Sequence, residues 1–132
     1  MCNESYEAED STDSRDWSED SRHLHNGSYM DAGGRGAWIS WDISDVPPGE
    51  YELSVYYANG GAEKRPVTTY VNGRAQDGRM TFPSTKDWSR WQWESQVVSV
   101  DEWDSTLTLE VSEERGGPNI DYIELSDKEM CG

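Results

Sequence analysis

The sequence predicts an all-β fold, an antiparallel β-sandwich of the jelly-roll type. Short stretches in which apolar and polar residues alternate recur along the 132 residues, and turns rich in glycine, proline and asparagine separate them. No stretch of helical length keeps a 3.6-residue apolar period without an interrupting proline or glycine. A chain of this length can bury one core, so we expect residues 1–132 to form a single domain.

Eight stretches are predicted to be strands because their apolar residues recur with a period of two. The clearest is 37–43, and the Asn72-Gly73 pair that follows 67–71 is a strong hairpin signal. The full set is 5–10, 37–43, 51–58, 67–71, 79–82, 92–100, 106–111 and 120–125. Between the first two strands, the polar segment 11–28 is predicted to be a long loop and 29–36 a glycine-rich bend.

The charge of the chain excludes two classes of partner. It has 27 acidic and 11 basic residues, a net charge of −16, which argues against nucleic acid and anionic membrane surfaces. No apolar run approaches membrane-spanning length, so we expect no membrane partner. Two interpretations of the excess acid remain open, cation binding and a solvated surface suited to a saline environment.

The only two cysteines, Cys2 and Cys131, lie at the two ends of the chain. Their number excludes a cysteine-rich metal site. If the first and last strands are neighbours, a disulfide between the ends is geometrically possible and would suit an oxidising compartment. Two free thiols are the alternative.

Three acidic residues are candidates for a metal site. Glu7 and Glu9 are two residues apart in the first predicted strand, and Asp121 lies in the last one. Carboxylates that converge in a folded protein need a cation to neutralise them, and an all-oxygen ligand set favours calcium. The alternative is that Glu7 and Glu9 form the solvated face of an edge strand.

The aromatic composition points to a polar ligand. Seven Trp and seven Tyr stand against a single Phe, and Trp and Tyr are favoured where one side of the ring stays wet. We predict that Tyr29, Trp88 and Trp17 lie in loops, with Trp88 the best candidate for an exposed tryptophan, whereas Trp41 and Trp91 belong to the core. Aromatic faces together with an amide such as Asn119 would suit a sugar; the alternative is that all the tryptophans are core residues.

The sequence offers little support for catalysis. His23 and His25 are two residues apart in the predicted long loop, and no cysteine or activated serine pattern accompanies them. Pairs of carboxylates of the kind that glycoside hydrolases use are expected by chance among 27 acidic residues. We therefore interpret both histidines as ordinary loop residues.

Seven short segments follow one another along the chain in a recognisable order. They are Tyr6-Glu7-Ala8-Glu9, Ser28-Tyr29-Met30-Asp31-Ala32-Gly33, Pro48-Gly49-Glu50-Tyr51-Glu52-Leu53, Tyr57-Ala58-Asn59-Gly60-Gly61, Tyr70-Val71-Asn72-Gly73, Phe82-Pro83-Ser84-Thr85-Lys86-Asp87-Trp88 and Gly116-Gly117-Pro118-Asn119-Ile120-Asp121-Tyr122. Together they resemble the carbohydrate-binding modules of families 6 and 35, and the resemblance extends over essentially the whole chain. The segments 31–38 and 11–20 depart from it, the first by extra glycine and arginine and the second by its acidity.

The resemblance implies a β-sandwich with a structural calcium ion near the termini, held in part by Glu7, Glu9 and Asp121. It favours the metal interpretation of these residues over the edge-strand interpretation. The acidic segment 11–20 could serve a second calcium ion, since some family 35 relatives bind uronic acids through one.

The resemblance also implies a sugar site in the loops at one edge of the sandwich, built from Tyr29, Trp88 and Asn119, with Asn59 and Arg65 on its rim. The expected function is non-catalytic binding of a poly- or oligosaccharide, neutral or uronic, by an extracellular module tethered to a catalytic or surface domain. The alternatives are a structural or adhesion module that has lost the sugar site and, less favoured, a glycan-active enzyme.

Overall fold

The predicted antiparallel β-sandwich is confirmed by a computed structural model, which describes residues 3–20 and 28–127. The described residues form two antiparallel sheets, here called sheet A and sheet B. Their strands are β1 (Asn3–Glu7), β2 (Asp13–Arg15), β3 (Trp17–Asp20), β4 (Tyr29–Ala32), β5 (Trp38–Ile43), β6 (Gly49–Ala58), β7 (Val67–Val71), β8 (Arg74–Ala75), β9 (Gln92–Val100), β10 (Ser105–Val111) and β11 (Asn119–Ser126); a 3-10 turn (Ala8–Asp10) follows β1.

Sheet A brings the two ends of the chain together. Its strand order is β3-β4-β11-β6-β9, and β1 pairs with β11 over the register Asn3↔Ser126 to Glu7↔Tyr122. Strand β4 pairs with the first part of β11, at Met30↔Ile120, so β1 and β4 lie end to end along the same side of β11. The start of β11 is thereby placed beside both the N-terminal strand and β4.

Sheet B has the order β2-β5-β10-β7-β8 and packs against sheet A through a shared core. Alternate residues of β6 and β10 are buried, as the period of two predicts, among them Leu53 and Leu109. The prediction that Trp41 is a core residue is confirmed, since its ring is 2% exposed and its indole Nε1 donates to the carbonyl of Glu7 at 3.0 Å.

Three short strands occupy the segments that were predicted to be a loop and a bend. The segment 11–28 contains β2 and β3, and 29–36 begins with β4. Strands β2 and β3 lie at the edges of their sheets and are mostly exposed, so their sequence lacks the apolar alternation by which strands are recognised. Asp16, with φ of 61°, separates β2 from β3 and lets the chain pass from one sheet to the other.

Two predicted strands differ clearly from the structure, one in its bounds and the other because it is not a strand. The first ends at Glu7, and Glu9 belongs to the 3-10 turn that follows. The segment 79–82 is not a strand, because only Met80 forms an isolated bridge, with Val67, and Phe82 adopts a φ of 48°. This positive φ turns the chain away from the sheet and places the Phe82 ring in the core, where it is fully buried.

Several predictions concern residues outside the described ranges. Cys2, Cys131, His23 and His25 all fall there, so the disulfide and the role of the histidines stay predictions. Among the described residues, no helix has the length and apolar character needed to cross a membrane.

Candidate functional site

The three predicted metal-ligating carboxylates are brought together at the junction of the two chain ends. One oxygen from each of Glu7, Glu9 and Asp121 lies within 4.8 Å of the other two. Pairing of β1 with β11 places Glu7 opposite Tyr122, the neighbour of Asp121. A register shift in β11, between Ile120 and Tyr122, interrupts the regular pairing at Asp121.

The carboxylates destabilise one another when all are ionised. Burial and the charge of Glu9 raise the pKa of Asp121 to about 6. Burial is also the main cause that raises the pKa of Glu7 and of Glu9, and neighbouring acidic groups add to it. Within the described ranges, one buried oxygen of Glu9, Oε1, has no hydrogen-bond partner. These three residues therefore fit a hard cation, which would neutralise the repulsion and occupy the unpaired oxygen.

Asn119 presents an unpaired acceptor at the start of β11. The residue is 4% exposed, and its Oδ1 atom has no hydrogen-bond partner among residues 3–20 and 28–127. Because β11 pairs with β6, Asn119 lies opposite Ala58, close to the loop that follows β6. A buried amide oxygen without a donor costs free energy unless a ligand or water supplies one.

Arg65 lies beside this end of β11. Its Nη1 atom donates to the carbonyl of Gly117 at 3.4 Å, whereas its buried Nε atom has no partner in the described part of the chain. Burial lowers the pKa of the guanidinium, Arg115 lowers it further, and Asp31 opposes them. Arg65 therefore offers a partly desolvated donor close to the start of β11. The Gly117 carbonyl that it contacts lies two residues before Asn119.

Trp88 lies in the loop between Phe82 and β9 and is partly exposed. The guanidinium carbon of Arg65 is 5.0 Å from the centroid of the indole, a cation–π contact. A Cβ atom at Gly60 would come within 2.3 Å of Cδ1 of Trp88, so the backbone at Gly60 forms a close support for the ring. Trp88 thus lies beside the loop that follows β6 and contacts Arg65, which in turn contacts Gly117 just before β11.

Asn59 fixes the shape of the loop that follows β6. It is fully buried, and its Nδ2 atom donates to the carbonyls of Glu63 at 2.8 Å and Phe82 at 2.9 Å. Its Oδ1 atom accepts the backbone N–H of Gly61 at 3.1 Å. The predicted rim position of Asn59 does not match this burial, since both ends of its amide are used to shape the loop.

Two of the three predicted loop aromatics lie on strands instead. Tyr29 begins β4 and is fully buried, with the edge of its ring against Trp91 at a centroid distance of 5.3 Å. Trp17 begins β3 and is 9% exposed. The prediction that these two lie in loops is wrong, because the segments around them form β3 and β4 of sheet A. Whether Tyr29 contacts a sugar stays a prediction.

Sequence reasoning missed a group of aromatic residues on the outer face of sheet A. Trp91, predicted to be a core residue, is only partly buried and stacks on Tyr56 at 5.8 Å. Trp93 and Tyr122 pack on Tyr56 at 5.0 Å and 5.5 Å. We call Tyr56, Trp91, Trp93 and Tyr122 the outer aromatic surface. Strand parity could have placed Tyr56 there, since its neighbours Val55 and Tyr57 point inward.

Trp88, the predicted exposed tryptophan, is partly exposed, and Trp93 and Trp103 are more exposed, at 47% and 58%. A separate depression of about 300 Å³ lies on the outer face of sheet B. It is lined by Trp38, Ser40, Tyr70, Thr108 and Glu110.

Comparison with known proteins gives a consistent result. Residues 15–125 match the sequence profile described as "Carbohydrate binding module (family 35)". Over 90 residues the chain is 30% identical to exo-beta-D-glucosaminidase of Amycolatopsis orientalis, covering 68% of this chain and 9% of that enzyme. It is 28% identical over 92 residues to endo-1,4-beta-xylanase B of Cellvibrio japonicus (strain Ueda107), covering 69% of this chain and 15% of the enzyme. The chain therefore spans only a small part of these relatives.

Solved structures agree with the fold. A family 35 carbohydrate-binding module from Clostridium thermocellum superposes with a TM-score of 0.87 at 26% identity, covering 95% of this chain and 98% of that one. The C-terminal family 6 module of LamC from Zobellia galactanivorans gives a TM-score of 0.81 at 23% identity, covering 95% and 99%. The second of these likenesses bears on the fold alone.

Proposed function

Since the chain belongs to family 35 of the carbohydrate-binding modules, we propose that it binds a poly- or oligosaccharide and does not itself catalyse a reaction. One observation carries the proposal. A partly exposed indole, Trp88, contacts the guanidinium of Arg65, whose buried Nε atom has no partner in the described residues. Arg65 also contacts Gly117, two residues before Asn119, whose buried Oδ1 atom is likewise unpaired in the described residues. An aromatic face flanked by one donor and one acceptor suits a sugar, which has apolar C–H faces and hydroxyl groups.

Each of these residues has a distinct part in binding. The C–H face of a sugar ring packs on Trp88, one hydroxyl donates to Oδ1 of Asn119, and another oxygen accepts from Arg65. Asn59 holds the loop, and Tyr29 supports the site from β4. Because neither polar atom has a partner among the described residues, a sugar that reaches them supplies hydrogen bonds that the rest of the described chain does not.

We propose calcium as the cation at Glu7, Glu9 and Asp121. When bound, it supplies positive charge to a cluster whose pKa values are raised, and so favours the ionised carboxylates. Since these residues join β1, the 3-10 turn and β11, they would hold the chain ends together and fix the start of β11. Asn119 lies two residues from Asp121 on that strand.

The glycan can be neutral or uronic. Arg65 offers a positive charge to a carboxylate, whereas the net charge of −16 opposes an anionic sugar. The relatives are two different glycan-active enzymes, an exo-beta-D-glucosaminidase and an endo-1,4-beta-xylanase. We propose that this module likewise serves a larger protein that acts on polysaccharide outside the cell. The structural or adhesion alternative is favoured by one observation, the complete burial of Tyr29.

A glycan array of neutral and uronic oligosaccharides, run with calcium and with chelator, tests the proposal. We expect wild-type protein in calcium to bind one class of sugar and Trp88→Ala to lose that binding, because the indole is the main apolar contact. Trp103→Ala is the matched control, since Trp103 is exposed in the loop between β9 and β10, which follows the end of β9 that lies away from Trp88. Silence of the wild-type protein across the array in calcium would contradict the proposal and favour a structural module.

A further inference from the structure

The proposed sugar site is assembled on two loops that lie far apart in the sequence. Loop 59–66 follows β6, and loop 112–118 leads into Asn119 at the start of β11. The backbone N–H of Ser112 donates to the carbonyl of Pro66 at 3.1 Å and joins the two loops at one end. Because neither loop belongs to a strand, contacts between them determine how far apart they lie.

Loop 59–66 supports both the indole and the guanidinium of the site. A Cβ atom at Gly60 would meet the backbone nitrogen of Trp88 at 2.6 Å. A Cβ atom at Gly61 would meet Nη2 of Arg65 at 3.1 Å. Trp88 and Arg65 therefore pack on consecutive residues of this loop. A shift of the loop moves these two side chains relative to the start of β11.

An ion pair joins the middle of one loop to the middle of the other. Nη1 of Arg115 lies 2.8 Å from Oε2 of Glu63. Hydrogen bonds hold the backbone at both ends of this pair. The carbonyl of Glu63 accepts Nδ2 of the buried Asn59 at 2.8 Å, and Arg115 lies in a turn that the Gly116 N–H closes on the carbonyl of Glu113 at 3.1 Å. The pair therefore connects two ordered pieces of chain.

The charge of Arg115 also acts on Arg65. Burial is the largest cause of the lowered pKa of the Arg65 guanidinium, the charge of Arg115 lowers it further, and Asp31 raises it. The two guanidinium groups repel each other, and the carboxylate of Glu63 offsets this repulsion by holding Arg115. Without the pair, a free cation beside Arg65 would disturb its contact with Trp88.

The ion pair contributes little to the stability of the fold. The Arg115 and Glu63 side chains are 43% and 69% exposed, and ion pairs at such sites are screened by salt and lose side-chain entropy. The same pair can have a larger effect on binding, because a site whose loops are already in place avoids the free-energy cost of ordering them when the ligand arrives.

We propose that the Glu63–Arg115 ion pair is a strap that positions the two halves of the sugar site. It holds loop 59–66, which supports the indole and the guanidinium, against loop 112–118, which leads into Asn119. Both residues are positioning residues that act through the loops and not through contact with the sugar. The inference rests on the proposed function, because the site that the strap positions is the proposed sugar site.

A double-mutant cycle measured by titration calorimetry in calcium tests the strap. The probes are xylohexaose, β-1,3-glucohexaose and tetragalacturonate, and the cycle uses the one that binds the wild type most tightly. Glu63→Gln and Arg115→Gln are each expected to weaken binding by about fivefold, because each opens the strap. The double variant is expected to lose no more than either single variant. Arg115→Lys, which keeps the charge, is expected to bind within about twofold of the wild type.

Two control variants make the same charge changes outside the strap. Glu114→Gln removes an exposed carboxylate from loop 112–118. Arg74→Gln removes a guanidinium that pairs with Asp101, beyond the end of β9 that lies away from Trp88. Both are expected to bind within about twofold of the wild type. Any effect of net charge on the anionic probe is common to the controls and is subtracted, and melting temperatures show whether a loss reflects unfolding.

An NMR measurement without sugar tests the strap independently of binding. The Trp88 indole N–H and the Arg65 Nε–H report the positions of the two side chains that loop 59–66 supports. Glu63→Gln and Arg115→Gln are expected to shift both signals. Salt at about 1 M is expected to shift them in the same direction in the wild type, because the Debye length then falls to about 3 Å. The control variants are expected to leave both signals unchanged.

The outcomes separate the strap from the proposed function. Unchanged affinity in both single variants, or losses that add in the double variant, overturns the strap and leaves the sugar site in place. Binding of no probe and of no sugar on the array contradicts the proposed function, and the NMR signals then decide the strap alone. Signals of Trp88 and Arg65 that stay unchanged in both single variants overturn it.

Discussion

Gly60 supports Trp88 so closely that the glycine determines where the indole can lie. Its hypothetical Cβ atom falls 2.3 Å from Cδ1 and 2.6 Å from the backbone nitrogen of Trp88. Since the second of these atoms is backbone, a side chain at position 60 must displace the loop and not the ring alone. The orientation of the proposed sugar platform therefore depends on a residue that makes no polar contact through a side chain.

We predict that Gly60→Ala weakens sugar binding by about tenfold, because the displaced loop moves Trp88 away from its contact with Arg65. Gly34→Ala is the matched control, since a Cβ atom there meets only Glu114 at 3.5 Å, an ordinary contact. The measurement is calorimetry with the sugar identified on the array. Unchanged affinity in Gly60→Ala would show that Trp88 does not hold the sugar.

At this scale the sequence predicted part of the core. Strand parity identified Trp41 correctly, because burial on a strand follows a period of two. Parity gave no information on Trp91, which precedes β9, and the prediction that Trp91 is a core residue is wrong because the residue is only partly buried. The unpaired atoms of Arg65 and Asn119 depend on tertiary contacts and have no signal in the sequence.

Gln96 joins the two sheets at the edge of β9. Its Oε1 atom accepts the hydroxyl of Thr69 at 2.7 Å, and its Nε2 atom donates to the carbonyls of Asp77 at 2.9 Å and Gly78 at 3.2 Å. Thr69 is fully buried, so this bond is shielded from water. One side chain thereby ties β9 of sheet A to β7 and to the turn after β8.

We predict that Gln96→Ala lowers the free energy of unfolding by about 1–3 kcal/mol, because it leaves the buried Thr69 hydroxyl without its acceptor. Gln92→Ala, on the same strand and exposed, should change it by less than about 0.5 kcal/mol. Urea denaturation measures both values. Equal effects of the two substitutions would show that the bridge between the sheets adds nothing to stability.

Among the elements, strands with an apolar face were predictable and edge strands were not. The bounds 67–71 and 92–100 agree with β7 and β9, because turns bracket both segments. Strands β2 and β3 are polar. Each is extended because it pairs with a neighbouring strand, β2 with β5 and β3 with β4. That reason is non-local and is absent from the segments themselves.

At the scale of the whole molecule, the carboxylate cluster links the chain ends, and the proposed calcium ion would make stability depend on calcium. A cation that binds the folded state alone stabilises it by about 2.7 kcal/mol at a hundredfold excess over its Kd. Without a cation, the ionised form of Asp121 costs stability above its raised pKa of about 6. The sign of a substitution at Asp121 therefore depends on whether calcium is present.

We predict that calcium raises the melting temperature of the wild type at pH 7.5 and has little effect on Asp121→Asn. In chelator, Asp121→Asn should melt no lower than the wild type, because it removes a repulsive charge. Glu50→Gln, an exposed substitution on β6, is the control and should keep the calcium response. A wild-type melting temperature that chelator leaves unchanged would contradict the calcium assignment.

The architecture and the convergence of the chain ends were predictable from alternation, turns and the ordered family segments. The outer aromatic surface was not, since it depends on the register of β11 with β6 and of β6 with β9. Register is fixed by packing between distant segments, which a single sequence does not display.

The measurement that tests the central claim most directly is an amide and indole NMR titration of the protein in calcium with the sugar identified on the array. The account predicts that the largest shifts fall on the Trp88 indole N–H, the Arg65 Nε–H and the backbone amide of Asn119. Shifts confined to the depression around Trp38 and Tyr70 on sheet B would contradict it, since the sugar would then bind on the opposite face of the sandwich.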